Sequence, residues 1–223
     1  MEPLNIVVIG SSGHARVIIS MIESIKKYNI VGLIDSYKEV GTKINGYEII
    51  GNEEDLPMLY KKHILLGGVV AIGNNWNRYK MVNKIIQITP EFNFISIIHQ
   101  SAIISPNITI GNGTVIMPGV IINSNANIGS NCIINTQSLI EHDCQICDFA
   151  SIAPGVKMGG NTVINQKTAI GIGTTIIEKI TIGRESIVGA HSLVIRDVPD
   201  YQVWFGIPAK YVKQNIPVIN YLR

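Results

Sequence analysis

Charge is scarce in this 223-residue chain: Asp, Glu, Lys and Arg make up 15%, against roughly 25% in an average soluble domain. The net charge is only +2, which argues against a strongly basic nucleic-acid surface or an anionic-membrane surface. Three cysteines are too few for a disulfide framework. No apolar run approaches the ~20 residues of a membrane span. Met1-Glu2-Pro3-Leu4 lacks the basic region of a secretory signal, so the expected location is the cytoplasm, with reduced thiols. What is abundant is isoleucine, with 44 residues. Such a content needs a core that uses it.

The core follows from a period of six. Stepping from Ile104 gives Ile110, Ile116, Ile122, Ile128, Ile134 and so on to Val188 and Val194, every one aliphatic or Met. Four residues after each lies a small or β-branched residue, from Ile108, Thr114 and Val120 to Ser192 and Val198. Six matches neither the 3.6-residue period of a helix nor the simple alternation of a strand. It fits a short strand plus a turn. Three such units close a triangular coil, so residues 18 apart should stack, with the large aliphatic and its small companion both pointing inward. A β-sandwich gives no reason to keep this phase.

The front of the chain reads differently. Residues 1–98 hold 19 charged side chains and residues 101–198 hold 11. Asn5–Ile9 reads as a strand followed by Gly10-Ser11-Ser12-Gly13. His14–Lys27 reads as a helix with Val17, Ile18, Met21, Ile22 and Ile25 on one face. Ile30–Ile34 is a strand ending at Asp35, Gly68–Ile72 a strand ending at Gly73-Asn74-Asn75, Trp76–Ile88 a helix and Phe92–Ile97 a last strand. The organisation predicted is a small Rossmann-like α/β domain over 1–98, a parallel β-helix over 99–198 and a C-terminal cap over 199–223. The strand-end loops at Gly10–His14, Asp35-Ser36 and Gly73–Asn75 are where such sheets bind ligands.

Gly10-Ser11-Ser12-Gly13 lacks the full dinucleotide fingerprint, so NAD is not expected. The turn suits phosphate oxygens at a helix N-terminus, with His14 as an added donor, or it is only a tight strand–helix connection. Asp35 can accept from a ribose hydroxyl or be a solvated turn residue. Cys144-Gln145-Ile146-Cys147 looks like a C-x-x-C pair, but the register points Cys144 inward and Cys147 outward, which argues against a metal or redox role. Glu141-His142-Asp143 falls on the outer corner between inward Ile140 and Cys144. An imidazole beside a carboxylate can serve as a general base. The residue 18 further on is Gly160, so the neighbouring coil offers space and a bare N–H: base, space and donor are the parts of an acyl transfer. The alternative is a histidine on a solvated corner.

The hexapeptide repeat resembles the left-handed β-helix acyltransferases. The whole arrangement is similar to their sialic-acid O-acetyltransferase-type sugar acetyltransferases, in particular those acting on UDP-4-amino-4,6-dideoxy sugars. The resemblance rests on Gly10-Ser11-Ser12-Gly13-His14, on Ala71-Ile72-Gly73-Asn74-Asn75 with Arg78, on Ser101–Pro106, on Asn135-Thr136 through Ile140–Cys144, and on Gly206–Lys210. It implies His142 as catalytic base and Asp143 as the acid that increases its basicity. It implies Ser12, Gly13, His14, Asp35, Ser36, Gly73 and Asn135 as the nucleotide-sugar site. Ser151, Gly160, Ile172 and Ala190 would contact acetyl-CoA, with Gly160 as backbone donor near the thioester carbonyl.

The resemblance further implies a homotrimer with CoA between neighbouring β-helices, and no metal. The activity expected is direct N-acetylation of a nucleotide-activated 4-amino-4,6-dideoxy sugar, UDP-linked, for surface glycan biosynthesis. The alternatives are O-acetylation of sialic acid or a related sugar, and a non-catalytic nucleotide-sugar-binding scaffold.

Overall fold

A computed structural model of the chain describes residues 3–215. It divides into two compact units, one of residues up to 73 and 77–97, the other of residues 74–76 and 98 onward.

The first unit is a five-stranded sheet of β1 (Leu4–Ile9), β2 (Tyr28–Ile34), β3 (Lys43–Ile44), β4 (Tyr47–Gly51) and β5 (Gly67–Val70), in the order β3-β4-β2-β1-β5. Only the β3–β4 pair is antiparallel. The helices are α1 (Gly13–Ile25), α2 (Leu56–Lys62) and α3 (Asn75–Ile88). Residues 6–9 of β1 are buried almost completely, as a central parallel strand requires. Gly10 ends it at φ +101°, where an added β-carbon would meet the Ala71 carbonyl oxygen at 3.1 Å. The turn therefore needs glycine.

Two expectations are corrected. Phe92–Ile97 is not a continuous strand: Phe94 makes one isolated bridge to Gly68, with Gly68 N donating to Asn93 O at 3.0 Å and Ile95 N to Gly68 O at 2.8 Å, and the Phe92 and Phe94 ring centroids lie 5.2 Å apart. In α1, Val17 is 45% exposed; Ile18, Met21 and Ile22 are buried as expected, and Ala15 and Ile19 complete the buried stripe, at helical spacings of three and four.

The second unit is a parallel β-helix of two-residue rungs in three sheets. Ile121 pairs with Leu139 and Ile122 with Ile140, a step of 18 residues that recurs in each sheet. From Ile116 to Val194 every sixth residue is at most 2% exposed, and the companions from Thr114 to Val198 are at most 6% exposed. Ile104 and Ile110, in the first coil, are only half-buried. The chain joins the coil before residue 101, since His99 N donates to Ile116 O at 2.9 Å. At the far end, the strand Gln202–Gly206 pairs with Ile187 and Val188, and Ala209–Gln214 folds back antiparallel on it. This hairpin covers an edge that would otherwise be open. The expected cap also includes residues 216–223, which lie outside the described residues.

Candidate active site

Each coil turns at corners where one residue adopts the left-handed conformation. Asn125, Asp143 and Asn161 hold that place at one corner, with φ of 61°, 58° and 59°. Asn and Asp tolerate it better than other side chains. The turn carries the Asp143 carboxylate to His142, whose Nδ1 lies 2.7 Å from Asp143 Oδ2. Asn125, one coil earlier, donates Nδ2–H to Asp143 Oδ1 at 3.2 Å. These two hydrogen bonds, His142 first, lower the Asp143 pKa below its ordinary value. A carboxylate can only accept, so the Nδ1 facing it carries a proton; in the neutral ring the lone pair is then on Nε2. Glu141 is turned aside, accepting from Asn123 Nδ2 at 3.0 Å.

Gly160 lies under the imidazole, and a β-carbon there would stand 2.6 Å from both Cε1 and Nε2. Among the described residues its N–H donates to no acceptor, and as a glycine it adds no side chain of its own beside that N–H. His191 makes a similar contact with Gly173, but among the described residues no acid pairs with it. The Cys144 thiol donates to the Gly159 carbonyl oxygen in the core at 3.2 Å.

The remaining expected acyl-donor residues lie elsewhere in the coil. Ser151 begins a rung in the sheet that also holds Ile133 and Ala169. Ile172 and Ala190 stack 18 apart at the corner following that sheet, where His191 N donates to Ile172 O at 2.8 Å. Asn135 sits at this second corner, its Oδ1 accepting from Thr136 N at 2.8 Å. One chain thus places His142 and Gly160 on one edge of the triangular coil, and Asn135, Ile172 and Ala190 on another.

In the first unit, the carboxyl ends of β1 and β2 and one face of α3 enclose a cavity of about 510 Å³. It brings together Ser12, Asp35 and Ser36; Gly13, His14 and Gly73 are not on its wall. Asp35 is held on both oxygens, by Ser11 Oγ at 2.5 Å and by Tyr37 N at 2.8 Å. The Ser36 hydroxyl is bound to Glu53. Burial acts to raise the Glu53 pKa, but hydrogen bonds from Lys84 and Ser36 outweigh it and the net shift is downward.

His14 is mostly buried, its Nε2 finds no partner among the described residues, and its pKa falls to about 4, first through burial and then through the charge of Arg78. Arg78 is itself 1% exposed and donates to the carbonyls of Ile72 and Gly73 at 2.8 and 3.0 Å. Sequence reasoning missed Asn125, Ser11, Tyr37, Lys38, Lys80 and Lys84. Two of them carried a signal: Asn125 through its place 18 residues before Asp143, and Ser11 through its place in the Gly10–Gly13 turn.

Among the described residues no group of three His, Cys, Asp or Glu side chains could hold a metal ion, and no helix is long and apolar enough to cross a membrane.

Residues 5–85 match the family described as the PglD N-terminal domain. A histidine-to-alanine variant of GDP-perosamine N-acetyl transferase from Caulobacter crescentus, solved with CoA and GDP-perosamine, is 32% identical. The likeness covers 94% of this chain and 97% of that one, with a TM-score of 0.88. The acetyltransferase domain of PglB from Neisseria gonorrhoeae, solved with acetyl coenzyme A, is 28% identical over 94% of this chain and 100% of that one, with a TM-score of 0.87. GDP-perosamine N-acetyltransferase of Escherichia coli O157:H7 is 32% identical over 150 residues, which are 67% of this chain and 65% of that relative.

Proposed function

Because the chain belongs to the left-handed β-helix, hexapeptide-repeat acyltransferases, in their sugar-acetyltransferase branch, we propose that it transfers the acetyl group of acetyl-CoA to the amino group of a nucleotide-activated 4-amino-4,6-dideoxy sugar. The observation that carries this reading is the His142–Asp143 pair set over bare Gly160.

The sugar amine attacks the thioester carbonyl carbon. His142 Nε2 takes the proton that the amine must lose, while Asp143 fixes the tautomer and balances the charge that forms on the ring. The Gly160 N–H is available to the oxyanion as it develops. The tetrahedral intermediate then collapses, the C–S bond breaks, and the proton held by His142 passes to the departing CoA sulfur. The step needs no metal and no acyl-enzyme.

Two features favour a homotrimer as the working form. The His142 edge and the Ile172–Ala190 edge are separate in one chain, so a neighbouring copy would have to bring its own edge to complete a CoA site. That second corner also presents an apolar side chain to its surroundings, Ile172 being 49% exposed. The relatives from C. crescentus and E. coli are named for GDP-perosamine. That supports a GDP-linked acceptor ahead of the UDP-linked one that the motifs resemble.

The test is CoA release from acetyl-CoA with GDP-, UDP- and dTDP-linked 4-amino sugars and free sialic acid. The expected result is turnover of one nucleotide amino sugar that is lost in His142→Ala. Turnover of sialic acid alone would assign O-acetylation instead, and no turnover of any acceptor would leave the scaffold reading.

A further inference from the structure

Three lysines reach the wall of the strand-end cavity, and they are not equivalent. Lys84 is neutralised by two acids, 2.8 Å from Glu53 and 2.7 Å from Glu54. Lys38 is committed to the Ser11 carbonyl oxygen at 3.0 Å. Lys80, one helical turn before Lys84 on the same face of α3, has neither an acid nor a hydrogen-bond acceptor among the described residues. The cavity's acid, Asp35, already accepts from Ser11 and Tyr37. An anion entering here therefore meets one uncommitted cation.

Tyr37 is the other unexplained feature. Its backbone is pinned to Asp35, yet the residue is 96% exposed at the cavity wall, and its ring has no aromatic, cationic or hydrogen-bonded partner among the described residues. Ile34, Ile72 and Met81 supply apolar surface in the same cavity. A flat aromatic face anchored by its main chain beside apolar walls suits a flat, π-bearing group.

Resting on the reading that this cavity takes a nucleotide-activated sugar, we infer that Tyr37 and Lys80 divide the recognition of its nucleotide: Tyr37 stacks on the base and Lys80 meets the diphosphate. Neither residue belongs to the strand-end motifs, and both are binding residues remote from the His142 corner in sequence. The division predicts different signatures. Loss of the stack weakens binding at any ionic strength, whereas loss of the ammonium weakens it mainly at low salt.

The experiment is calorimetric titration of the full chain with GDP and with UDP, without acetyl-CoA, beside steady-state kinetics with the accepted sugar. Tyr37→Ala should raise both nucleotide Kd values about 5- to 100-fold, and Tyr37→Phe should restore them. Lys80→Gln should raise them about tenfold at low salt, with the gap closing at about 0.5 M salt, and Lys80→Arg should behave like wild type. In both weakened variants the acceptor KM should rise and the acetyl-CoA KM should hold.

If wild type turns over a nucleotide sugar while Tyr37→Ala or Lys80→Gln binds GDP and UDP unchanged, the division is wrong and the enzymatic reading stands. A wild type that binds neither nucleotide and acetylates no nucleotide sugar overturns both. Thermal melts of the variants separate lost binding from lost folding.

Discussion

His142 and Gly160, 18 residues apart, are in contact across adjacent coils: a β-carbon on Gly160 would come within 2.6 Å of two imidazole atoms. The clashing atoms belong to the tip of a rotatable side chain, so an alanine there can be accommodated by moving the ring. Gly160→Ala should therefore fold, melt within a few degrees of wild type, and lose about 100-fold in kcat, the scale of a misplaced catalytic group. Wild-type turnover in this variant would mean that the ring's seat over Gly160 is not used in the reaction.

Removing members of the same group should give a graded series. His142→Ala takes away the base and should lower kcat by about 10²–10⁴, with both KM values nearly unchanged. Asp143→Asn leaves the ring but removes its acceptor at Nδ1, and should cost less than His142→Ala. Asn125→Ala only frees one carboxylate oxygen of Asp143 and should cost least. Steady-state kinetics on the three variants checks the order; Asn125→Ala falling below His142→Ala would overturn it.

The fold should weaken in mild acid through His14. Its folded pKa of about 4 lies below the ordinary 6.5, so between these values the unfolded chain binds the proton that the folded chain refuses. Stability is complete above pH 6.5 and is lost as pH falls toward 4, by about 2–3 kcal/mol at pH 4.5. Urea unfolding at pH 7.5 and 4.5 should show this loss in wild type and a smaller one in His14→Gln. Equal losses would place the acid sensitivity elsewhere.

The β-helix register is equally exposed to test. Ile134 is fully buried, and a lone carboxylate in its place would cost several kcal/mol. Ile134→Asp should yield no folded protein, whereas Ile134→Val should cost only about 1 kcal/mol. Circular dichroism and thermal melts decide; a wild-type melt for the Asp variant would mean that residue 134 does not face the core.

What the sequence revealed depended on periodicity. The six-residue step located the buried column from Ile116 to Val194, and the 18-residue step located Gly160 beside His142, because a solenoid turns sequence distance into spatial distance. The first unit offers no such ruler. Helix α1 packs so many aliphatics into a short span that its stripe could be drawn through Val17, which is exposed, as readily as through Ile19, which is buried. Phe92 and Phe94 read as strand residues, but the ladder there stops at the single bridge of Phe94 to Gly68, while the Phe92 ring packs on Phe94 and Tyr60. Tyr37 follows the Asp35-Ser36 loop and Lys80 lies in the expected Trp76–Ile88 helix, but neither position carries a motif, and only the folded cavity shows that they face the same space as Ser12 and Asp35.

The cysteines should be dispensable, which separates direct transfer from a covalent route. An acetyl-enzyme would need a thiolate that is accessible and stable near neutral pH. Cys132 and Cys144 are buried, with thiols directed at backbone carbonyls, Cys132 to Cys147 O and Cys144 to Gly159 O, each at 3.2 Å. Cys147 is less buried, but burial and then the nearby Asp148 charge push its pKa up, away from the thiolate. No general base is hydrogen-bonded to it among the described residues. Cys147→Ser should keep nearly full turnover, and quenching the enzyme with acetyl-CoA alone should show no added acetyl mass. An acetylated cysteine peptide that disappears when the amino sugar is supplied would replace direct attack by a two-step mechanism. It would also move His142 from activating the amine to activating a thiol, while the coil that carries both residues stays as it is.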